Sequence, residues 1–182
     1  MRIIGIDPGT ARTGFGVVEK KGGEFIVVDY GLIETKKDLE PAERLEHIFA
    51  EVTGLIKRHG PDVLAIERLF FNRNVTTAMS VGEARGVIIL SAARAGIRAV
   101  EYMPLQIKKA LTGDGRAEKK QVQEMVRMML KLPEIPKPDD VADALAIAVC
   151  HAGASRFEQL ARDAGKGSGK NIRKICRDAE AE

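Results

Sequence analysis

Four carboxylates stand at widely separated points of the chain: Asp7 and Glu67, each after a short apolar strand, and Asp140 with Asp143, which open a late apolar helix. Brought together by folding, they would form an oxygen-rich cage for hard divalent cations such as Mg²⁺. Asp7 follows Ile3-Ile4-Gly5-Ile6 and Glu67 follows Val63-Leu64-Ala65-Ile66, where an isolated charge is costly to desolvate. Bound cations would compensate that cost. Two of them about 3.5–4 Å apart can stabilise both the attacking and the leaving oxygen when a phosphodiester is hydrolysed. At i and i+3, Asp140 and Asp143 share a helix face and can reach one cluster while Ala142, Leu145 and Ala146 pack inward.

Each of these positions also has a simpler reading. Asp7-Pro8-Gly9 is favourable turn chemistry in its own right. Carboxylates in the first turn of a helix satisfy free amides and the positive end of the helix, and Asp139 is the more natural cap. Glu67 is hardest to explain this way, because the strand before it is apolar on both faces; Arg68 should point to the opposite face. Glu101, another carboxylate at a strand end, and His47, His59 and His151, which lack ligand spacing, read as structural or solvated.

The elements that would position the carboxylates follow from periodicity. Arg2 to Ile6 reads as a buried strand, Gly14 to Glu19 as a second and Glu24 to Thr35 as a third, joined by short glycine-containing connections as an antiparallel meander. From Pro41 to Arg58, Leu45, Ile48, Phe49, Val52, Leu55 and Ile56 recur at helical spacing until Gly60-Pro61. Asp62 to Glu67 gives a fourth strand, Val75 to Ala95 a long helix rich in small residues, and Arg98 to Tyr102 a fifth strand, an alternation that implies right-handed crossovers and parallel pairing. Helical patterns over Gln106 to Leu111, Lys119 to Leu130 and Asp140 to His151 complete the domain. The expected fold is α/β and ribonuclease H-like: a five-stranded mixed sheet, three antiparallel strands then two parallel ones, flanked by helices.

The 182 residues suit one domain, and 45% hydrophobic content supplies a core. We expect a domain over 1–156 and a polar, basic, flexible tail over 157–182, where Gly165-Lys166-Gly167-Ser168-Gly169-Lys170 is too glycine-rich to pack. A formal charge of +3 and pI near 8.9 do not alone separate a nucleic-acid binder from an ordinary enzyme. Cys150 and Cys176 have no zinc spacing and argue against a disulfide framework. With neither a leader pattern nor an apolar window long enough for a bilayer, a soluble cytoplasmic protein without membrane contact is expected.

Charge distribution is more informative than net charge. Lys108, Lys109, Arg116, Lys119 and Lys120 would form a cationic rim able to neutralise phosphates beside an acidic centre, although lysines on amphipathic helices are commonly just solvated. Phe70 and Phe71 follow Glu67 closely, and an exposed ring there could stack on an unpaired base for about 1–3 kcal/mol. Ala78, Val81, Gly82, Gly86 and Ile89 fit either a self-complementary two-fold interface or packing on the sheet.

Four blocks of sequence carry a resemblance: Gly-Ile-Asp-Pro-Gly-Thr, Ala-Ile-Glu-Arg-Leu-Phe-Phe-Asn-Arg-Asn, Gly-Glu-Ala-Arg-Gly-Val and Asp-Asp-Val-Ala-Asp-Ala-Leu-Ala-Ile-Ala. In this order, from Met1 to about His151, with Ala-Glu-Lys-Lys-Gln-Val-Gln before the last, the chain resembles the RuvC family of bacterial Holliday junction resolvases. The resemblance implies a homodimer that nicks two strands of like polarity at a four-way DNA junction, working in recombination and repair with the branch-migration complex RuvA-RuvB. It further implies Mg²⁺ as cofactor, two ions per site with Mn²⁺ as a substitute, held by the family's acidic tetrad at Asp7, Glu67, Asp140 and Asp143. Asp7 would bridge the ions. The three-residue spacing to the Asp-Ala-Leu-Ala block selects Asp140 over Asp139. Lys108 and Lys119 match family lysines beside the scissile strand, and Phe70 matches an aromatic thought to stack near the crossover. Arg73 and Asn74 fall in the same block and join the expected DNA contacts.

Three rivals remain at this level. A ribonuclease H-like nuclease acting on RNA–DNA hybrids or structured RNA would share the acid cluster. An actin-like or sugar-kinase-like ATPase shares Gly-Ile-Asp-Pro-Gly-Thr but needs a second domain and phosphate loop that this length does not accommodate. A junction-binding module without activity would not need all four acids.

Overall fold

The computed structural model describes residues 1–68 and 75–154. The stretch 69–74, with Phe70, Phe71, Arg73 and Asn74, and the tail expected over 157–182 lie outside the described residues. So does Cys176.

Five strands form one sheet in the order β3-β2-β1-β4-β5. They are β1 (Arg2–Asp7), β2 (Arg12–Lys21), β3 (Glu24–Glu34), β4 (Val63–Glu67) and β5 (Arg98–Tyr102). β1 pairs antiparallel with β2 and β2 with β3, whereas β1–β4 and β4–β5 are parallel. This is the expected mixed sheet. The antiparallel hairpin is longer than periodicity implied, because Arg12, Thr13, Lys20 and Lys21 also pair although their side chains break the apolar pattern. Ladder hydrogen bonds belong to the backbone, so polar residues extend a strand wherever the partner strand continues.

Alternation along β1 and β4 divides the core in two. Ile4, Ile6, Leu64 and Ile66 face one layer with Ile48, Val52, Ala84 and Ile88. That layer is α1 (Pro41–His59) and α2 (Val75–Arg94). Ile3, Val63 and Ala65 face the other layer, with Ile107, Val122, Leu145 and Ala148. This second layer is α3 (Pro104–Thr112), α4 (Lys119–Met129) and α5, residues 139–154. Full burial of an Ile or Leu side chain contributes roughly 1.5–3 kcal/mol. Met1–Ala152 form one compact unit.

Helix ends agree with their chemistry. Pro41 stands in the first turn of α1, where its missing N–H costs nothing. Gly60 ends the helix at φ 54°, a left-handed conformation natural to glycine. The Glu118 N–H donates to Gln121 Oε1 at 2.9 Å, fixing the start of α4 and with it Lys119. No described helix is long and apolar enough to cross a membrane.

Glycines let α5 lie directly on the sheet. A Cβ at Gly14 would collide with the Asp140 carbonyl oxygen, and one at Gly5 with the Ala144 carbonyl oxygen; one at Gly16 would sit 2.6 Å from Leu145 Cδ2. The first turn of α5 therefore rests on β2 at Gly14, and the following turns on β1 at Gly5, without a side chain of the sheet between. Gly14→Ala is expected to push this turn away, lowering stability by about 1–3 kcal/mol, as overpacking does, and cleavage with it. Chemical denaturation beside a cleavage assay checks this.

Candidate active site

The strand rows point into the site. Ile3, Gly5 and Asp7 alternate on the α5 side of β1, as Val63, Ala65 and Glu67 do on β4. The parallel register pairs Ile3 with Val63 and Ile6 with Ile66, so one residue further on Asp7 and Glu67 leave adjacent strand ends on the same face. Across them lies the glycine-seated start of α5, which carries Asp140 and Asp143. Four carboxylates distant in sequence thus share one electrostatic neighbourhood.

The shifts in acidity register that crowding. Burial raises Asp7 most, with the charges of Asp143, Glu67 and Asp140 adding to it and only Lys119 opposing, so that its pKa rises from 3.8 to about 8. Glu67 is raised by burial and by Asp143, against the pull of Lys119 and Lys108. Asp143 is raised by burial even though Lys119 bonds to it, because desolvation outweighs one half-exposed cation. Burial pulls the Lys119 ammonium down, but its bonds to Asp143 and Asp139 prevail and raise it.

Lys119 Nζ lies 2.9 Å from Asp143 Oδ2 and 3.2 Å from Asp139 Oδ2. Asp139 itself is 63% exposed and does not contribute to the crowding at Asp7. Asp140 does contribute, and its side chain has Arg12 Nε at 3.8 Å. Asp140, the residue expected from the family spacing, thus acts on Asp7, and Asp139 pairs with Lys119 instead.

A cleft with room of about 230 Å³ opens beside the acids and is lined by Glu67, Lys108, Lys119, Asp143 and apolar residues of α3, α4 and α5. Lys108 and Lys119 thus meet beside the carboxylates. Lys109 and Arg116 are exposed, outside that lining. Lys120 lines a separate groove with Glu118 and Glu124, so the expected rim divides between two faces.

The donor set fits a hard divalent cation: the cluster is all oxygen, strongly anionic and partly desolvated. Among the described residues, no three acidic, histidine or cysteine side chains already stand at ligating separations. Asp143 is turned to Lys119 and Asp140 towards Arg12, so holding an ion requires these side chains to rotate inward. Without metal, the protein should weaken as pH rises. The folded pKa of Asp7 lies above its unfolded value, so the stability this group carries is full below about pH 4 and lost as pH climbs through about 8. Denaturation in EDTA at pH 5 and pH 8.5 should differ by about 1–3 kcal/mol, less than the full shift because Asp7 keeps some solvent contact.

The remaining candidates take structural roles. Glu101 binds Arg85 on the α2 side of the sheet. His59 pairs with Asp29 at 2.8 Å, His151 Nδ1 lies 2.7 Å from the Tyr102 hydroxyl, and His47 is exposed. Burial pushes the Cys150 thiol up to about 12, which makes it inert. Sequence reasoning did not find Arg12 as the neighbour of Asp140, nor the glycines under α5; the alternation of Gly14 and Gly16 along β2 was the available signal.

The family model for crossover junction endodeoxyribonuclease RuvC matches residues 3–151. The RuvC of Pelotomaculum thermopropionicum is 55% identical over 159 residues, 87% of this chain and 97% of that protein. The Thermus thermophilus RuvC in complex with Holliday junction substrate superposes with a TM-score of 0.83 at 39% identity, covering 87% of this chain and 96% of that one. The yeast mitochondrial Holliday junction resolvase Ydc2 has a TM-score of 0.62 at 14% identity, covering 88% of this chain and 85% of its own, a likeness of fold. With five strands in this order, acids at the ends of β1 and β4 and a matching model over nearly the whole described chain, the protein belongs to the RuvC family of crossover junction endodeoxyribonucleases.

Proposed function

We propose that this protein resolves four-way Holliday junctions in recombination and DNA repair, by Mg²⁺-dependent hydrolysis that places paired symmetric nicks in two strands of like polarity. The observation that carries this reading is the convergence of Asp7, Glu67, Asp140 and Asp143 beside Lys108 and Lys119 in a member of this family. Residues 1–156 are the nuclease domain in this reading, and 157–182 a polar, basic tail. The protein works in the cytoplasm, with RuvA-RuvB as branch-migration partner.

The four carboxylates would hold the metal. Two Mg²⁺ ions, or Mn²⁺ in their place, supply Lewis-acid stabilisation of charge on the attacking and leaving oxygens. The chain's own contribution is positioning and charge. Asp7 and Glu67 are fixed by adjacent strands, which are stiffer platforms than loops. Lys108 and Lys119 lie on the cleft wall, where ammonium groups can take the oxygens of an incoming phosphate. The apolar remainder of the wall, Ile107, Val122 and Ile147, limits access of bulk water.

Two symmetric nicks call for two sites, hence a homodimer. Along α2, Met79, Glu83, Gly86 and Leu90 form an exposed stripe opposite the sheet-facing Ala84, Ile88 and Ala92. Of the residues singled out in the sequence, Gly86 lies in that stripe, while Ala78, Val81, Gly82 and Ile89 are half-buried beside it. No described atom lies within 4 Å of a Cβ at Gly86, which leaves room for close approach by a second helix. Phe70, Phe71, Arg73 and Asn74 remain proposed DNA contacts, with Lys109, Arg116 and Lys120 touching flanking phosphates.

The test is a strand-mapped digest of a labelled synthetic junction, beside linear duplex and RNA–DNA hybrid, with and without Mg²⁺. Paired nicks confined to the junction and requiring metal support the reading. Cleavage of the hybrid at a comparable rate replaces it with a broader ribonuclease H-like nuclease.

A further inference from the structure

Arg85 belongs to the Gly82–Val87 block of the sequence. It extends from α2 to the strand that ends in Glu67. Its Nε donates to the Glu67 carbonyl oxygen at 3.3 Å, and its terminal nitrogen pairs with Glu101 Oε1 at 2.5 Å. The Arg85 side chain is only 18% exposed, against 42% for Glu101. Glu101 stands beside Ile66 in the parallel register, on the α1–α2 side of the sheet and away from the carboxylate cluster.

The peptide between Glu67 and Arg68 is thereby held at both polar ends. Its carbonyl accepts from Arg85, and its N–H donates to the Tyr102 carbonyl oxygen at 2.8 Å. β4 stops at Glu67, and there the sheet holds the 67–68 peptide through its N–H, bonded to β5, while Arg85 holds its carbonyl. Anchoring the peptide planes on both sides of the Glu67 Cα fixes its two backbone torsions together, and with them the direction in which its side chain leaves the chain.

We propose that Arg85 is a positioning residue for Glu67, acting through the 67–68 peptide, with Glu101 locking its guanidinium in place. This rests on the reading of Glu67 as a metal-holding carboxylate. The effect is one of orientation. The rigid guanidinium fork serves two acceptors in fixed directions, which a lysine ammonium cannot reproduce. Partners that orient a metal-holding group typically change metal affinity or activity by about 10–100-fold.

Arg85→Leu, Arg85→Lys and Glu101→Gln test this beside the wild type. Three quantities are read: cleavage of a synthetic four-way junction across a Mg²⁺ titration, Mn²⁺ binding to the free protein by electron paramagnetic resonance, and junction affinity in EDTA. Arg85→Leu should lower the maximal cleavage rate and weaken Mn²⁺ binding, each by about 10-fold, with junction affinity within about twofold of wild type. Arg85→Lys should recover only part of the loss, and Glu101→Gln should fall between. A merely structural role would reduce junction affinity and melting temperature without a selective change in metal binding. Unchanged Mn²⁺ affinity and Mg²⁺ requirement in Arg85→Leu overturn the inference; if that variant does not fold, the same result in both Arg85→Lys and Glu101→Gln does so. Wild-type protein that binds no Mn²⁺ and cuts no junction instead overturns the reading on which the inference rests.

Discussion

Asp7→Asn is expected to lower junction cleavage by at least about 10³-fold while leaving junction affinity intact. The magnitude follows from the several kcal/mol that metal-assisted charge stabilisation contributes to a transition state. Asp7 is the carboxylate on which Asp143, Glu67 and Asp140 all act, so an amide there would weaken a proposed metal-holding group and remove the charge that draws cations in. The same change should stabilise the metal-free fold at pH 8 by about 1–3 kcal/mol, because a neutral amide avoids the cost of an ionised, crowded carboxylate. It should also abolish most of the stability loss expected between pH 5 and pH 8.5. Cleavage assays with denaturation in EDTA check both arms, and an Asp7→Asn variant that cuts normally would remove Asp7 from the chemistry.

Lys119→Met should reduce the cleavage rate at saturating protein by about 10²-fold, the scale on which a positioned cationic donor acts on a phosphoryl centre. Lys119 has two acidic partners, and its raised pKa keeps it an ammonium at working pH. A phosphate entering the cleft can draw it from Asp143, while Asp139 at 3.2 Å keeps it at the rim. With 53% of its side chain exposed, the residue contributes little to the core, so the loss should appear in rate rather than in melting temperature. Lys120→Met provides the contrast, since Lys120 lies in the groove with Glu118 and Glu124. It should change the rate by no more than about twofold, an exposed surface charge being worth about 0–1 kcal/mol. Equal effects at the two lysines would argue for general phosphate attraction instead.

The strands, the helices and their order were legible because apolar periodicity changes cleanly from two to 3.6 along the chain. The acids at Asp7 and Glu67 stood out for a related reason: each closes a row of small or apolar residues, Ile3-Gly5 and Val63-Ala65, that faces one layer of helices. The preference for Asp140 over Asp139 rests on comparison with the RuvC family; in the structure the charge of Asp140 acts on Asp7, whereas Asp139 pairs with Lys119. Less could be read of what holds these groups in place. Gly5, Gly14 and Gly16 fall inside strands, and only the seating of α5 on the sheet explains them. Arg12 and Arg85 act across elements 128 and 18 residues away in sequence, through Asp140 and the Glu67 carbonyl. The sequence suggests a single cationic rim, but the turn of α4 divides Lys119 from Lys120.

The most direct measurement is anomalous diffraction from crystals of this protein grown with Mn²⁺. Two peaks are expected, enclosed by the carboxylates of Asp7, Glu67, Asp140 and Asp143, with Asp143 turned from Lys119 towards them, and no peaks there in Asp7→Asn crystals. Ions bound elsewhere, or none at these four side chains when the same preparation cuts junctions, would contradict that expectation.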